Sequence, residues 1–172
     1  MAARPLGPVV PDSDDHCLDL SRRRLLKLGG VGLLMWGTGF AVTGCACASN
    51  APLAPAGTYW RDGTCLVLSL DAIDELSAVG GAVRVPVGGD PDLDGQIIVA
   101  HAEAERYCAF PNRCTHRGRE LVYLHEDDAL ECCSGKSRFD LDGNVLEGPA
   151  PEPLTALTAY RDGRNLIIEL GP

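Results

Sequence analysis

The chain has 172 residues, a length that suits one domain plus an extra segment. Only 5% of them are aromatic, so a core must come mainly from Val, Leu, Ile and Ala. Net charge is −9; residues 1–44 carry five Lys/Arg against four Asp, leaving ten basic and twenty acidic side chains on residues 45–172, an acidic balance that argues against nucleic-acid binding.

The first element in chain order is a leader. Residues 21–27 read SRRRLLK, and the following stretch 28–48 is uncharged and holds six glycines. A basic cluster, an apolar run and then small residues is the layout of an export signal. The order Ser-Arg-Arg-x-Leu-Leu-Lys resembles the twin-arginine signal, which exports folded proteins and so suits a chain that takes up a cofactor before crossing. An uncharged run of 21 residues is also long enough for a membrane helix, although its glycines weaken it as one. "VTGC" at 42–45 resembles a lipobox, which would place lipid on Cys45; an uncleaved anchor helix is the rival. Either arrangement leaves the domain on the periplasmic or outer side of the cytoplasmic membrane, tethered to it. The expected organisation is a signal or membrane anchor over 1–47, an Ala/Pro-rich, semi-extended tether over 48–58, and a β domain over 59–172.

Beyond Tyr59, short apolar runs alternate with turn signals. Strands are expected at 64–70, 82–87, 96–100, 107–110, 121–124, 129–132, 144–147 and 165–170. Asp-Gly pairs at 62–63, 142–143 and 162–163 favour tight turns, because glycine accepts the positive φ such turns need. "DAIDELSAVG" at 71–80 reads as a short helix with Ile73 and Leu76 on one face. The expected fold class is all-β, a small antiparallel domain of two or three packed sheets.

Two loops carry the chemistry. "PNRCTHRGREL" (111–121) and "ECCSGKSRFD" (131–140) are separated so that 15 residues lie between His116 and Cys132. A Cys-x-His pair puts a soft thiolate and an imidazole on one turn, within reach of the two irons of a [2Fe–2S] cluster. With "CTHRGREL" and "SRFDLDGNVLEGPAPEPL" in that order, the chain resembles the Rieske [2Fe–2S] domain over roughly residues 64–170. The resemblance implies two hairpin loops around the cluster, with Cys114 and Cys132 on one iron and His116 on the other. It implies a hydroxyl at Ser137 donating to a cluster sulfide. Phe139 stands where some members carry a Tyr hydroxyl, and losing that donor lowers the potential.

One position departs from the family. Counting back from Phe139-Asp140, the second histidine ligand falls at Gly135. Candidate replacements are Cys133, giving Cys3His ligation, His125, or a water or partner ligand; the remaining reading is that no stable cluster forms. Quinol-oxidising members brace their loops with a disulfide at the positions of Arg119 and Ser134, so that brace is missing here. This points to simpler modules, such as small subunits of exported oxidoreductases of the arsenite-oxidase kind. Without a cluster, Cys114 would be free to pair with Cys132 or Cys133. Cys65 and Cys108 read as buried strand residues. The expected function is one-electron transfer to a redox partner or catalytic subunit, with catalysis belonging to the complex. The alternative is a cluster-free Rieske-like module that binds or scaffolds a partner.

Overall fold

A computed structural model describes residues 47–88 and 95–171, which form eleven strands and three single 3-10 turns. In chain order the strands are β1 (Tyr59–Asp62), β2 (Cys65–Ser69), β3 (Ala82–Pro86), β4 (Gln96–Glu103), β5 (Arg106–Pro111) and β6 (Leu121–Leu124). They continue with β7 (Ala129–Cys132), β8 (Arg138–Asp140), β9 (Val145–Glu147), β10 (Ala159–Asp162) and β11 (Asn165–Glu169). All named pairings are antiparallel, in three sheets of order β1-β2-β11-β10, β3-β4-β5 and β6-β7-β8-β9. The chain adopts the expected all-β class, with three antiparallel sheets where two or three were expected. Leader and lipidation expectations fall on residues 1–46, outside the described residues. Among the described residues no helix is long and apolar enough to cross a membrane.

The middle sheet explains the layering. Side chains alternate across a strand, and on β3-β4-β5 both faces are apolar. Val83, Val85, Ile97, Val99 and Ala109 face Leu66, Leu68, Leu166 and Ile168 of the first sheet. Ile98, Ala100, Cys108 and Phe110, of the opposite parity, face Leu121, Leu130, Cys132 and Phe139 of the third sheet. One sheet thus serves two cores, and the third sheet carries the loops of interest.

The expected helix at 71–80 is instead two 3-10 turns, Leu70–Ala72 and Asp74–Leu76. Ile73 and Leu76 are nonetheless both fully buried. Continuation stops at Gly80 and Gly81, where a Cβ on Gly81 would lie 1.5 Å from the Glu75 carbonyl oxygen. The two apolar anchors need only a tight turn to reach the core, and the chain must then reverse.

The Ala/Pro-rich segment is extended and lies on the body. Ala54 N–H donates to Arg84 O (2.8 Å) and Arg84 N–H donates to Pro52 O (2.7 Å). The Asn50 carboxamide acts as a strand edge for Tyr123, donating to its carbonyl (2.8 Å) and accepting its N–H (3.0 Å). Ser49 N–H donates to Glu120 Oε2 (2.7 Å), and Arg84 bridges Glu120 (3.3 Å) to Ala51 O (2.7 Å). This strap delivers Cys47 to the two Cys/His loops.

Candidate metal centre

Loop 1 leaves β5 and returns to β6. Cys114 N–H donates to Arg119 O (2.7 Å) and Gly118 N–H to Cys114 O (2.8 Å), closing a turn in which Gly118 has φ +64°. The buried Asn112 side chain accepts the Leu121 N–H (2.9 Å), fixing the root of the loop. Loop 2 follows β7. Cys132 N–H donates to Ser137 O (2.8 Å), Gly135 N–H to Cys132 O (2.6 Å), and Cys133 N–H to Glu120 O (3.0 Å), which ties it to loop 1. The proline-rich segment closes the back: Thr115 Oγ1 donates to Glu152 O (2.7 Å), and Leu154 N–H donates to Gly143 O (2.8 Å).

Three of the expected ligand residues are brought to these loops in a suitable state. Cys114 and Cys132 are fully buried, free thiols whose side chains influence one another electrostatically. Burial raises the Cys114 pKa, the His116 N–H opposes this, the Cys132 sulfur raises it further, and the Arg117 N–H again opposes. Backbone N–H groups aimed at a sulfur are the donors that stabilise a metal-bound thiolate. Ser134 Oγ lies 3.1 Å from Cys132 Sγ. His116 is half-buried, with Nδ1 enclosed and unpartnered among the described residues. The fully buried Ser137 hydroxyl and Asn112 Nδ2 are likewise unpartnered. Each such atom costs ~1–3 kcal/mol unless something fills its hydrogen bond.

The other candidates are placed differently. Cys133 is joined to Cys47, across 86 residues of sequence, in a disulfide. Its sulfur has no thiolate to offer a metal in that state, and the bond does not run between loops 1 and 2. Gly135 is exposed, with φ +67° and only Glu131 Oε1 within 4 Å of where a Cβ would stand. His125 sits on a surface 3-10 turn at 125–127, against Tyr123 Oη (3.3 Å). Cys65 and Cys108 are buried on β2 and β5; burial pushes the Cys108 thiol up to about 11.

Between the two loops lies a notch of about 260 Å³ lined by Cys47, His116, Arg117, Arg119, Ser134 and Lys136. Because His116 Nδ1 is enclosed, the remainder of its ring is what faces this notch. Cys47 has no counterpart in the loop motifs. The only sequence signal for it was the surplus of cysteines in a chain that reads as exported.

A two-iron centre takes two protein donors per iron, so no single ion needs three. Among the described residues no group of three His, Cys, Asp or Glu is placed to hold one ion. The buried thiol pair fits one iron completely. The enclosed His116 nitrogen and the Ser137 hydroxyl fit the second iron and a sulfide, and one donor position is left unmatched.

The chain is similar to several known proteins. The family model described as Rieske [2Fe-2S] domain matches residues 68–160. The oxygenase subunit of tert-butanol monooxygenase / tert-amyl alcohol desaturase from Aquincola tertiaricarbonis is 30% identical over 115 residues, covering 63% of this chain. This chain spans only 21% of that subunit's length. Cytochrome b6-f complex iron-sulfur subunit 1 of Nostoc sp. is 26% identical over 162 residues, 87% of this chain and 84% of that protein. Among solved structures, the ferredoxin of carbazole 1,9a-dioxygenase from Nocardioides aromaticivorans aligns with a TM-score of 0.48 at 23% identity, over 64% of this chain and 96% of that one. The family match covers more than half of the sequence and contains both Cys/His loops, and on that ground the chain belongs to the Rieske [2Fe–2S] domain family.

Proposed function

We infer that this chain is a Rieske-type electron carrier, a small redox subunit working with a separate partner protein. The observation that carries the reading is the set of unmet ligand groups at the loops: two buried free thiols, an enclosed imidazole nitrogen and an enclosed hydroxyl. Cys114 and Cys132 would hold one iron, and His116 Nδ1 would hold the other. When bound, the cluster supplies a one-electron acceptor and donor. Ser137 donates its hydroxyl toward it, the N–H groups of His116 and Arg117 offset charge on the Cys114 sulfur, and Phe139 and Leu121 exclude water from behind.

The exposed part of His116 is the exit for an electron, and its surroundings favour an acidic partner. Arg113, Arg117, Arg119 and Lys136 are four of the ten Lys/Arg on residues 45–172, all at these loops. Elsewhere Arg84, Arg106, Arg138 and Arg164 are paired with carboxylates. Arg117, Arg119 and Lys136 have no carboxylate partner among the described residues. A cationic tip on an acidic body orients an approaching acidic face and speeds encounter at low salt. The leader at 21–48 supports delivery outside the cytoplasmic membrane, with a lipid on Cys45 or an N-terminal helix holding the domain there.

A second reading has its own observation: with Gly135 at the second histidine position and Cys133 in a disulfide, the loops serve a cluster-free scaffold module. Anaerobic iron–sulfide reconstitution of the full chain with dithiothreitol separates the two. The carrier reading expects two irons per chain and a coloured protein. A colourless, iron-free wild type that gains a cluster as Gly135→His would establish the scaffold reading instead.

A further inference from the structure

The Cys47–Cys133 bond is chemistry at the site that neither loop motif accounts for. Cys47 shares its notch with His116, on the side where the second iron would have one protein donor. Arg119 Nη1 lies 3.5 Å from Cys47 Sγ, and Arg117 and Lys136 line the same notch. Neighbouring cations favour a cysteine sulfur as thiolate, the form that ligates metal. Cys133 is oriented differently. Adjacent side chains in an extended segment point apart, so with Cys132 turned into the core Cys133 is directed outward, to the strap.

The strap stays in place without the disulfide. Ser49 N–H is held by Glu120 and Asn50 by Tyr123, only two and three residues beyond Cys47. Opening the S–S bond therefore leaves Cys47 beside His116 rather than releasing it.

We propose that Cys47 is the fourth cluster ligand, locked away in the disulfide form by Cys133. This rests on the carrier reading above. A dithiol reductant opens the lock: the S–S bond breaks, its two sulfurs take up two electrons and two protons, and the dithiol closes to its own disulfide. The Cys47 proton leaves as its sulfur binds iron, supplying the donor that Gly135, without a side chain, cannot. Metal ligation is thus shared between the two loops and the N-terminal strap, and the oxidised strap marks the form without a complete ligand set.

The test uses the full chain and its Cys47→Ser and Cys133→Ser variants, each reconstituted anaerobically with ferrous iron, sulfide and dithiothreitol. Iron content and visible absorbance are read, with a circular dichroism melt for each variant. Wild type and Cys133→Ser are expected to hold two irons, and Cys47→Ser to lose at least five-fold. Alkylation of loaded wild type followed by peptide mapping is independent of variant folding: Cys133 is expected to react and Cys47 to be protected. Full loading of Cys47→Ser, or alkylation of Cys47 with protection of Cys133, overturns the assignment while the carrier reading stands. An iron-free wild type overturns the carrier reading itself.

Discussion

Gly148 is the position where the proline-rich segment presses on loop 2, and its replacement tests how rigidly the site is held. At φ +97°, a Cβ on this residue would lie 1.7 Å from Lys136 O, 2.6 Å from Lys136 C and 2.7 Å from Ser137 Cα. All three are backbone atoms, so no side chain can swing aside. Reaching an ordinary contact needs a separation of over an ångström, and loop 2 is pinned by the Cys132–Ser137 and Cys133–Glu120 hydrogen bonds. Gly148→Ala therefore combines a left-handed backbone cost of ~1–2 kcal/mol with an overpacking cost of ~1–3 kcal/mol. Gly163 supplies the control, with φ +57° and nothing within 4 Å of a Cβ, so Gly163→Ala carries only the ~1–2 kcal/mol backbone cost. In thermal unfolding, at ~3–6 °C per kcal/mol for a domain of this size, Gly148→Ala should fall by roughly 10 °C or more and Gly163→Ala by about 5 °C. Equal losses for the two would refute the contact argument.

Three further outcomes follow from the same contacts. Cleaving the Cys47–Cys133 link as Cys47→Ser/Cys133→Ser releases a closed loop of 86 residues in the unfolded chain and should cost about 4 kcal/mol in urea unfolding of the metal-free protein; a loss under 1 kcal/mol would contradict the loop-closure argument. For Asp140, burial raises the pKa but the Asn144 side chain and the N–H groups of Asn144, Asp142 and Gly143 outweigh it, and the carboxyl ends below 3.8. Its stabilisation is present above the unfolded value and is lost as pH falls through the lower folded value, so Asp140→Asn should flatten the acid limb of the stability curve; an unchanged limb would contradict the turn's role. In iodoacetamide mapping of the native metal-free chain at pH 8, Cys108 should react far more slowly than an unfolded thiol, since burial pushes its thiol up to about 11; modification as fast as that of an unfolded thiol would contradict its enclosure on β5.

The strands were legible because their chemistry is local. The run NLIIEL, after the Asp162-Gly163 turn, became β11 nearly to the residue, while QIIVA began β4 at Gln96 but fell three residues short of its end at Glu103. β1, β8 and β10 were not read as strands; they carry charged residues, and β1 and β10 flank the first sheet as edges, where one ladder suffices. The 71–80 segment was misread as one helix because Ile73 and Leu76 have helical spacing, whereas a pair of 3-10 turns buries the same two side chains. The family was legible because the two Cys/His loops, with Cys114, His116, Cys132 and Ser137, stand in a fixed order inside the matched residues 68–160. The part played by Cys47 was not, since a bond across 86 residues leaves no periodicity or spacing to read. The docking of residues 49–54 was hidden for a related reason: Asn50 and Ala54 bond to backbone groups, which every sequence supplies.

The central claim is that His116 holds iron through the nitrogen the fold encloses. Pulsed EPR of the reconstituted, dithionite-reduced chain, grown with 15N-histidine, measures this directly. The account predicts one coordinated histidine nitrogen, absent in His116→Ala. A spectrum without histidine coupling, or a coupling that survives in His116→Ala, would contradict it.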